Sequence, residues 1–258
     1  MTQRLTAHIA SLEAMKRYPS ELFYRGDLSL LDRPRVSIVG TRTPSLYTQQ
    51  MTERIAKALA RRGVCVVSGA AMGVDALAHE AAGADNTIAV LGCGLDIRYP
   101  AINGALIASI EKRGLLLGQF NDGFRATKWS FVTRNELVVA LGEILIVTEA
   151  DPGSGSLRSV EFARKMGKRI YVLPHRLGES MGTNRLLSEG EAEAIYDIEH
   201  FASRFGKAAG DDLPKDAFFY FCQGMPTVDE ALERFGDKIY EAELEGMITI
   251  RNGLISLR

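Results

Sequence analysis

Six short apolar runs, rich in Val and Ile, punctuate the chain at 36–40, 64–68, 87–92, 115–120, 144–148 and 169–174. Within each run the apolar residues are consecutive instead of alternating, which predicts parallel strands buried on both faces. The stretches between them carry helical periodicity, so the chain reads as repeated strand–helix–strand units with right-handed crossovers. The expected architecture is α/β: a doubly wound, mostly parallel, Rossmann-like sheet. Near 207–212 the rhythm stops in a Gly- and Asp-containing stretch. Two short helical segments follow, the second at about 237–245, and then MITIRNGLISLR, apolar on both sides of Asn252-Gly253, the pair that suits a type I′ hairpin turn. These features predict a short helical segment over 1–17, a Rossmann-like domain over 18–206 and a small winged-helix-like domain over 207–258.

Composition narrows the picture. With 46% hydrophobic and 24% charged residues in 258, the chain is ordinary globular protein, and a net charge of −1 means that any polyanion must be met by a local patch of Lys and Arg. Charge is segregated along the chain: 211–258 holds 10 acidic and 5 basic residues, against 22 and 26 in the remainder. Asp237, Glu241, Glu243 and Glu245 on the second helical segment would repel phosphate, so the terminal domain is expected not to bind DNA. Cys65, Cys93 and Cys222 are odd in number and scattered, which excludes a disulfide framework or a CxxC metal site and fits a reducing cytoplasm. No apolar run approaches the roughly 20 residues of a membrane span, so no membrane partner is expected. His8, His175 and His200 are scattered, and no metal or cofactor is expected. His79 beside Asp75 could be a general base, but a capping Asp and a satisfied helix histidine explain the pair more simply.

In an open parallel sheet, ligands bind beyond the carboxyl ends of the strands. Five loops there look specialised: Gly40-Thr41-Arg42, Ser68-Gly69-Ala70-Ala71-Met72-Gly73, Gly92-Cys93-Gly94, Gly153-Ser154-Gly155-Ser156 and Gly182-Thr183-Asn184. Glycine lets backbone N–H groups approach an anion, hydroxyls add donors, and helix N-termini favour negative charge. The first loop reads GTRTPS, not GxGxxG, and no GxxxxGK[ST] occurs, which argues against a dinucleotide or a nucleoside triphosphate. A longer polyphosphate fits. Arg42 and the segment Lys128, Trp129, Phe131, Arg134 and Asn135 mix cations with aromatics, as a single strand with unstacked bases requires. For Trp129 and Phe131, a place in the core is an equal alternative.

These residues carry a resemblance to the DprA/Smf family of DNA-processing proteins of bacterial natural transformation. Its carriers are VSIVGTRTPS, VVSGAAMGVDALAHEAA, IAVLGCGLDIRYP, SFVTRNELV, SGSLRSVEFARKMGKRIYVLP and GTNRLLSEGE, in that order. The resemblance implies single-stranded DNA binding without base-sequence specificity, a homodimer through the Rossmann-like domain, and loading of RecA onto incoming DNA. It implies basic phosphate contacts at Arg42 and Lys128, a base-pocket wall at Phe131, and further donors at Gly40, Thr41, Ser68, Gly69, Gly155, Ser156 and Asn184. Two departures stand out: the family's FPxRNR reads Phe131-Val132-Thr133-Arg134-Asn135-Glu136, and its Pro-Gly after the sixth strand reads Pro174-His175. The sterile-alpha-motif domain that many members carry is not expected in the 17 residues before the family core. Two alternatives stand beside the DNA reading. One is a nucleotide-binding adaptor. The other is a nucleoside monophosphate phosphoribohydrolase with the hallmark PGGxGTxxE, but DPGSGSLRSVE puts Ser159 at the catalytic position, with Glu161 about 200° further around the helix.

Overall fold

A computed structural model describes residues 1–207 and 216–257, which divide into two compact units, Met1–Gly206 and Lys207–Arg258. In the first, nine strands form one sheet: β1 (Gln3–Arg4), β2 (Phe23–Gly26), β3 (Arg35–Val39), β4 (Cys65–Ser68), β5 (Thr87–Leu91), β6 (Leu115–Gly118), β7 (Leu145–Val147), β8 (Ile170–Val172) and β9 (Glu193–Ala194). Their spatial order is β1-β2-β6-β5-β4-β3-β7-β8-β9. The strands from β3 to β9 are mutually parallel, and β1 and β2 are added antiparallel at one edge. The chain starts at the centre with β3, builds outward through β4, β5 and β6, then returns to the other side of β3 with β7. A crevice opens where the direction reverses, between β3 and β7.

The helices are α1 (Leu46–Ala60), α2 (Val74–Ala82), α3 (Gly104–Arg113), α4 (Lys128–Leu141), α5 (Gly155–Lys165), α6 (Met181–Ser188) and α7 (Ile198–Ser203). Successive residues of one strand enter different cores. Val39, Val67, Val90 and Val147 join α4 and α5 on one face, while Ile38, Val66 and Ile146 join α1, α2 and α7 on the other. That two-sided burial is why the strands read as continuous apolar runs. Thr127 and Ser130 form a capping box that fixes where α4 begins.

The N-terminal segment corrects the expectation of a separate helix over 1–17. Gln3–Arg4 pair with β2, only residues 10–14 coil, as a 3-10 turn, and Leu12 is fully buried in the main core. Leu12 and Ile9 give a helix-like spacing because they dock on the core, but the piece is too short to carry an α-helix of its own.

The second unit contains α8 (Ala217–Gln223), α9 (Val228–Phe235) and α10 (Lys238–Leu244), followed by the hairpin β10 (Ile248–Arg251) and β11 (Leu254–Leu257). Its core is Phe218, Cys222, Ala231, Ile239, Ala242, Ile248 and Ile255. Asn252 and Gly253 take φ of 52° and 75°, the left-handed pair a type I′ turn needs. Helix α8 adds a third helix to the expected two. Beyond Lys207, the stretch 208–212 where the boundary was expected lies outside the described residues. Among those described, no helix is long and apolar enough to cross a membrane.

Candidate nucleic-acid interface

The crevice at the β3/β7 reversal is a cleft of about 460 Å³, lined by Val39, Gly40, Thr41, Arg42, Ala71, Asp75, Arg134, Asn135, Ser154, Gly155, Ser156 and Ser159. A narrower recess shares Arg42, Ala71 and Arg134 with it and continues to Gly69, Met72, Gly92, Cys93, Tyr99, Pro100 and Phe131. Loops from four strands therefore meet at one place.

The β3 loop is tied on both sides. The Thr41 N–H donates to the Glu149 carbonyl at 2.9 Å, and the Thr41 carbonyl accepts from the Val74 N–H at 3.1 Å. Gly40 packs on Val74. Arg42 then stands exposed, with its guanidinium carbon 6.0 Å from the Phe131 ring centroid. Phe131 is half-buried and tilts against Tyr99 at 5.8 Å. It reaches that position over Gly92, where a Cβ would lie 2.9 Å from the ring.

Arg134 is 5% exposed and lies beneath both recesses. Its guanidinium donates to the Gly69 carbonyl and to the Val90 carbonyl, the latter at 3.2 Å, and faces the Asp75 carboxylate at 3.9 Å. Asp75 in turn accepts from the Gly69 N–H at 3.2 Å. The pair thus clamps both polar groups of Gly69 and fixes the β4–α2 loop from below. Burial pushes the Asp75 carboxyl above its usual range, with the Arg134 charge opposing, and the same burial pulls Arg134 down from its usual value. Arg134 was expected among the ligand contacts; it holds the loop, and the exposed cation of the cleft is Arg42.

The N-terminus of α5 borders the cleft. Ser154 stands at the N-cap in extended backbone, yet its hydroxyl makes no capping bond and is buried with no partner among the described residues. Gly155 is exposed, and a Cβ there would meet nothing within 4 Å. With Ser156 buried below, the first turn leaves backbone N–H groups without intrahelical partners at the positive end of an 11-residue helix.

Other expected residues are not brought here. The Ser68 hydroxyl is fully buried and donates to the Ile38 carbonyl at 2.6 Å. Thr183 is fully buried and bonds the Ser180 hydroxyl at 2.6 Å. Asn184 staples its own loop, donating to the carbonyls of His175, Arg176 and Glu179. Gly153, with φ of 78°, borders a different groove between α5 and α6. Lys128 is exposed at the start of α4, outside the lining of the cleft.

His79, one helical turn from Asp75 in α2, does not line the cleft or the recess. His79 is fully buried and bonds Thr87 Oγ1 through Nδ1 at 2.5 Å, and burial, aided by the Arg134 charge, lowers its pKa to about 3. Burial likewise raises the Cys65 thiol to about 12 and the Cys93 thiol to about 11. Among the described residues no group of His, Cys, Asp and Glu could hold a metal. Tyr99, outside the five loops singled out in the sequence, had no mark as a site residue, because nothing in the periodicity around it announces a side chain turned into a cleft.

Fold and cleft define a Rossmann-like α/β protein with an open polar cleft at its topological switch point and an aromatic-walled recess beside it. The model of the DNA recombination-mediator protein A family matches residues 5–206, and the chain belongs to that family. It is 38% identical over 176 residues to DNA processing protein DprA of Streptococcus pneumoniae, covering 67% of this chain and 62% of the relative. The solved structure of that organism's DNA processing protein A superposes with a TM-score of 0.73 at 32% identity, covering 79% of this chain and 74% of the other. DNA processing protein A of Helicobacter pylori, whose structure was described for its single-stranded DNA binding mode, superposes with a TM-score of 0.77 at 41% identity, covering 79% and 94%. The chain spans between about half and three fifths of the length of the curated relatives it matches most strongly.

Proposed function

We propose that this protein binds single-stranded DNA without base-sequence preference, protects it, and passes it to RecA for homologous recombination. In this reading it works in the cytoplasm as a homodimer through the Rossmann-like unit and performs no catalysis. The observation that carries the reading is the continuity of two unlike surfaces: the anion seat of Arg42 and the α5 N-terminus opens directly onto the wall of Phe131 and Tyr99. A phosphate and its base need this juxtaposition, because one is charged and wet and the other flat and apolar. The Helicobacter pylori relative described with single-stranded DNA adds support. The second unit reads as a winged-helix-like module whose α10 carries Glu241 and Glu243, with Glu245 at its cap, and we assign it no part in gripping phosphate.

The test is a fluorescence-anisotropy titration with labelled oligothymidylate over a range of salt, beside a duplex of equal length, with molecular mass measured in parallel. Arg42→Ala and Lys128→Ala should each weaken binding to all sequences alike and reduce the salt slope by about one or less. Binding unchanged in both variants overturns the assignment. RecA transfer is read separately, as faster RecA filament assembly on strand presented by this protein than on bare strand.

A further inference from the structure

Along the carboxyl edge of the sheet, in the order β7, β3, β4, β5, β6, the cleft uses the loops of the first three strands and Phe131 stands over the β5 loop at Gly92. One strand further on, the segment after β6 builds an aromatic cluster that neither recess uses. Phe120 and Phe124 stack with centroids 4.5 Å apart and 12° between planes. Trp129 meets Phe120 at 5.4 Å and 75° and Phe124 at 5.7 Å and 68°. Two neighbours hold the indole in place, yet Trp129 remains 57% exposed. Tryptophan is highly buried on average, so an anchored ring left open is aromatic surface available to a ligand. Lys128 and Arg125 beside it are both exposed and in no ion pair among the described residues.

We propose that Trp129 is a second base-stacking platform, receiving a base of the same strand beyond the one that lies against Phe131. The inference rests on the single-stranded DNA reading. Free cations around an aromatic face select a ligand that alternates phosphate with flat rings, and every base has a π face, so the platform adds affinity without sequence preference. Because Phe120 and Phe124 already fix the indole, stacking orders little that was free. Lys128, outside the cleft lining, then gains a function: it meets the phosphate between the two stacked bases.

Trp129 is the single tryptophan of the chain, so tryptophan emission reports on this ring alone. With the whole chain, oligothymidylate binding is followed by DNA anisotropy and by tryptophan emission in one titration. Emission should be quenched in step with anisotropy, and bound DNA should shield the ring from acrylamide. Trp129→Ala should weaken binding roughly 5- to 100-fold and Trp129→Phe by less, both with the wild-type salt slope, because an indole releases no counterion. Binding of DNA with emission and acrylamide access unmoved overturns the platform and leaves the proposed function standing, as does Trp129→Ala binding like wild type. No DNA binding by the wild-type chain overturns both. The wild-type emission measurement decides the matter even if a variant folds poorly.

Discussion

Arg134 and Arg42 border the same recess, but their charges answer to different partners. Arg134 satisfies two carbonyls and a buried carboxylate, whereas Arg42 faces solvent over an aromatic ring. Nothing local in TRNE or GTRT distinguishes the two, since a cation on the inner face of a helix is identified only once the neighbouring loops are folded onto it. Arg42 and Phe131, which the sequence marked because they follow a strand end or sit beside other cations and aromatics, do line the same recess. Ser68, Thr183 and Asn184, named with them, are engaged within the protein: Ser68 donates across the sheet to the Ile38 carbonyl, while Thr183 and Asn184 bond backbone of their own turn, as Thr and Asn there do readily. His79 gives a prediction at this scale. Its pKa is about 3 in the folded protein against 6.5 ordinarily, so between those values the unfolded chain binds a proton the native one refuses. Stability is therefore complete above pH 6.5 and is lost as pH falls toward 3. From this residue the loss between pH 7 and pH 5 should be about 2 kcal/mol. Asp75, pushed upward by burial, acts in the opposite sense, so urea denaturation of wild type against His79→Leu at both pH values isolates the histidine. Equal pH dependence in the two proteins would contradict the assignment.

At the level of elements, glycines that look alike in the sequence separate into two kinds. Gly92 is needed by the protein itself, because Phe131 occupies the space of its side chain. Gly155 is not needed by the fold: it opens α5 in ordinary helical conformation with empty space where a Cβ would go. A glycine kept where alanine would suit the helix better points to something approaching the backbone from outside. Gly155→Ala should leave the fold intact, add about 0.4–1 kcal/mol of stability, and weaken oligothymidylate binding. Denaturation and anisotropy on one preparation check both halves, and unchanged affinity would remove α5 from the interface. The six central strands were legible because burial on both faces writes an unbroken apolar run. Strands β1 and β9, two residues each, were not, since pairing at a sheet edge leaves no pattern that long-range contacts do not supply.

For the whole molecule, the division into two units separates a unit that carries the cleft from one whose α10 is acidic and which leaves Tyr240 and Leu244 exposed. Residues 1–206 alone should retain the affinity and salt slope of the full chain in the anisotropy titration. A marked loss on removing 207–258 would mean that the second unit contributes to the grip. The Arg134–Asp75 clamp has a consequence in time. It ties the β4–α2 loop through protein atoms alone, so the recess has its shape before any strand arrives. On the proposed reading, capture requires no ordering of this loop, and variants of the cleft should differ in how long the strand stays more than in how fast it is found.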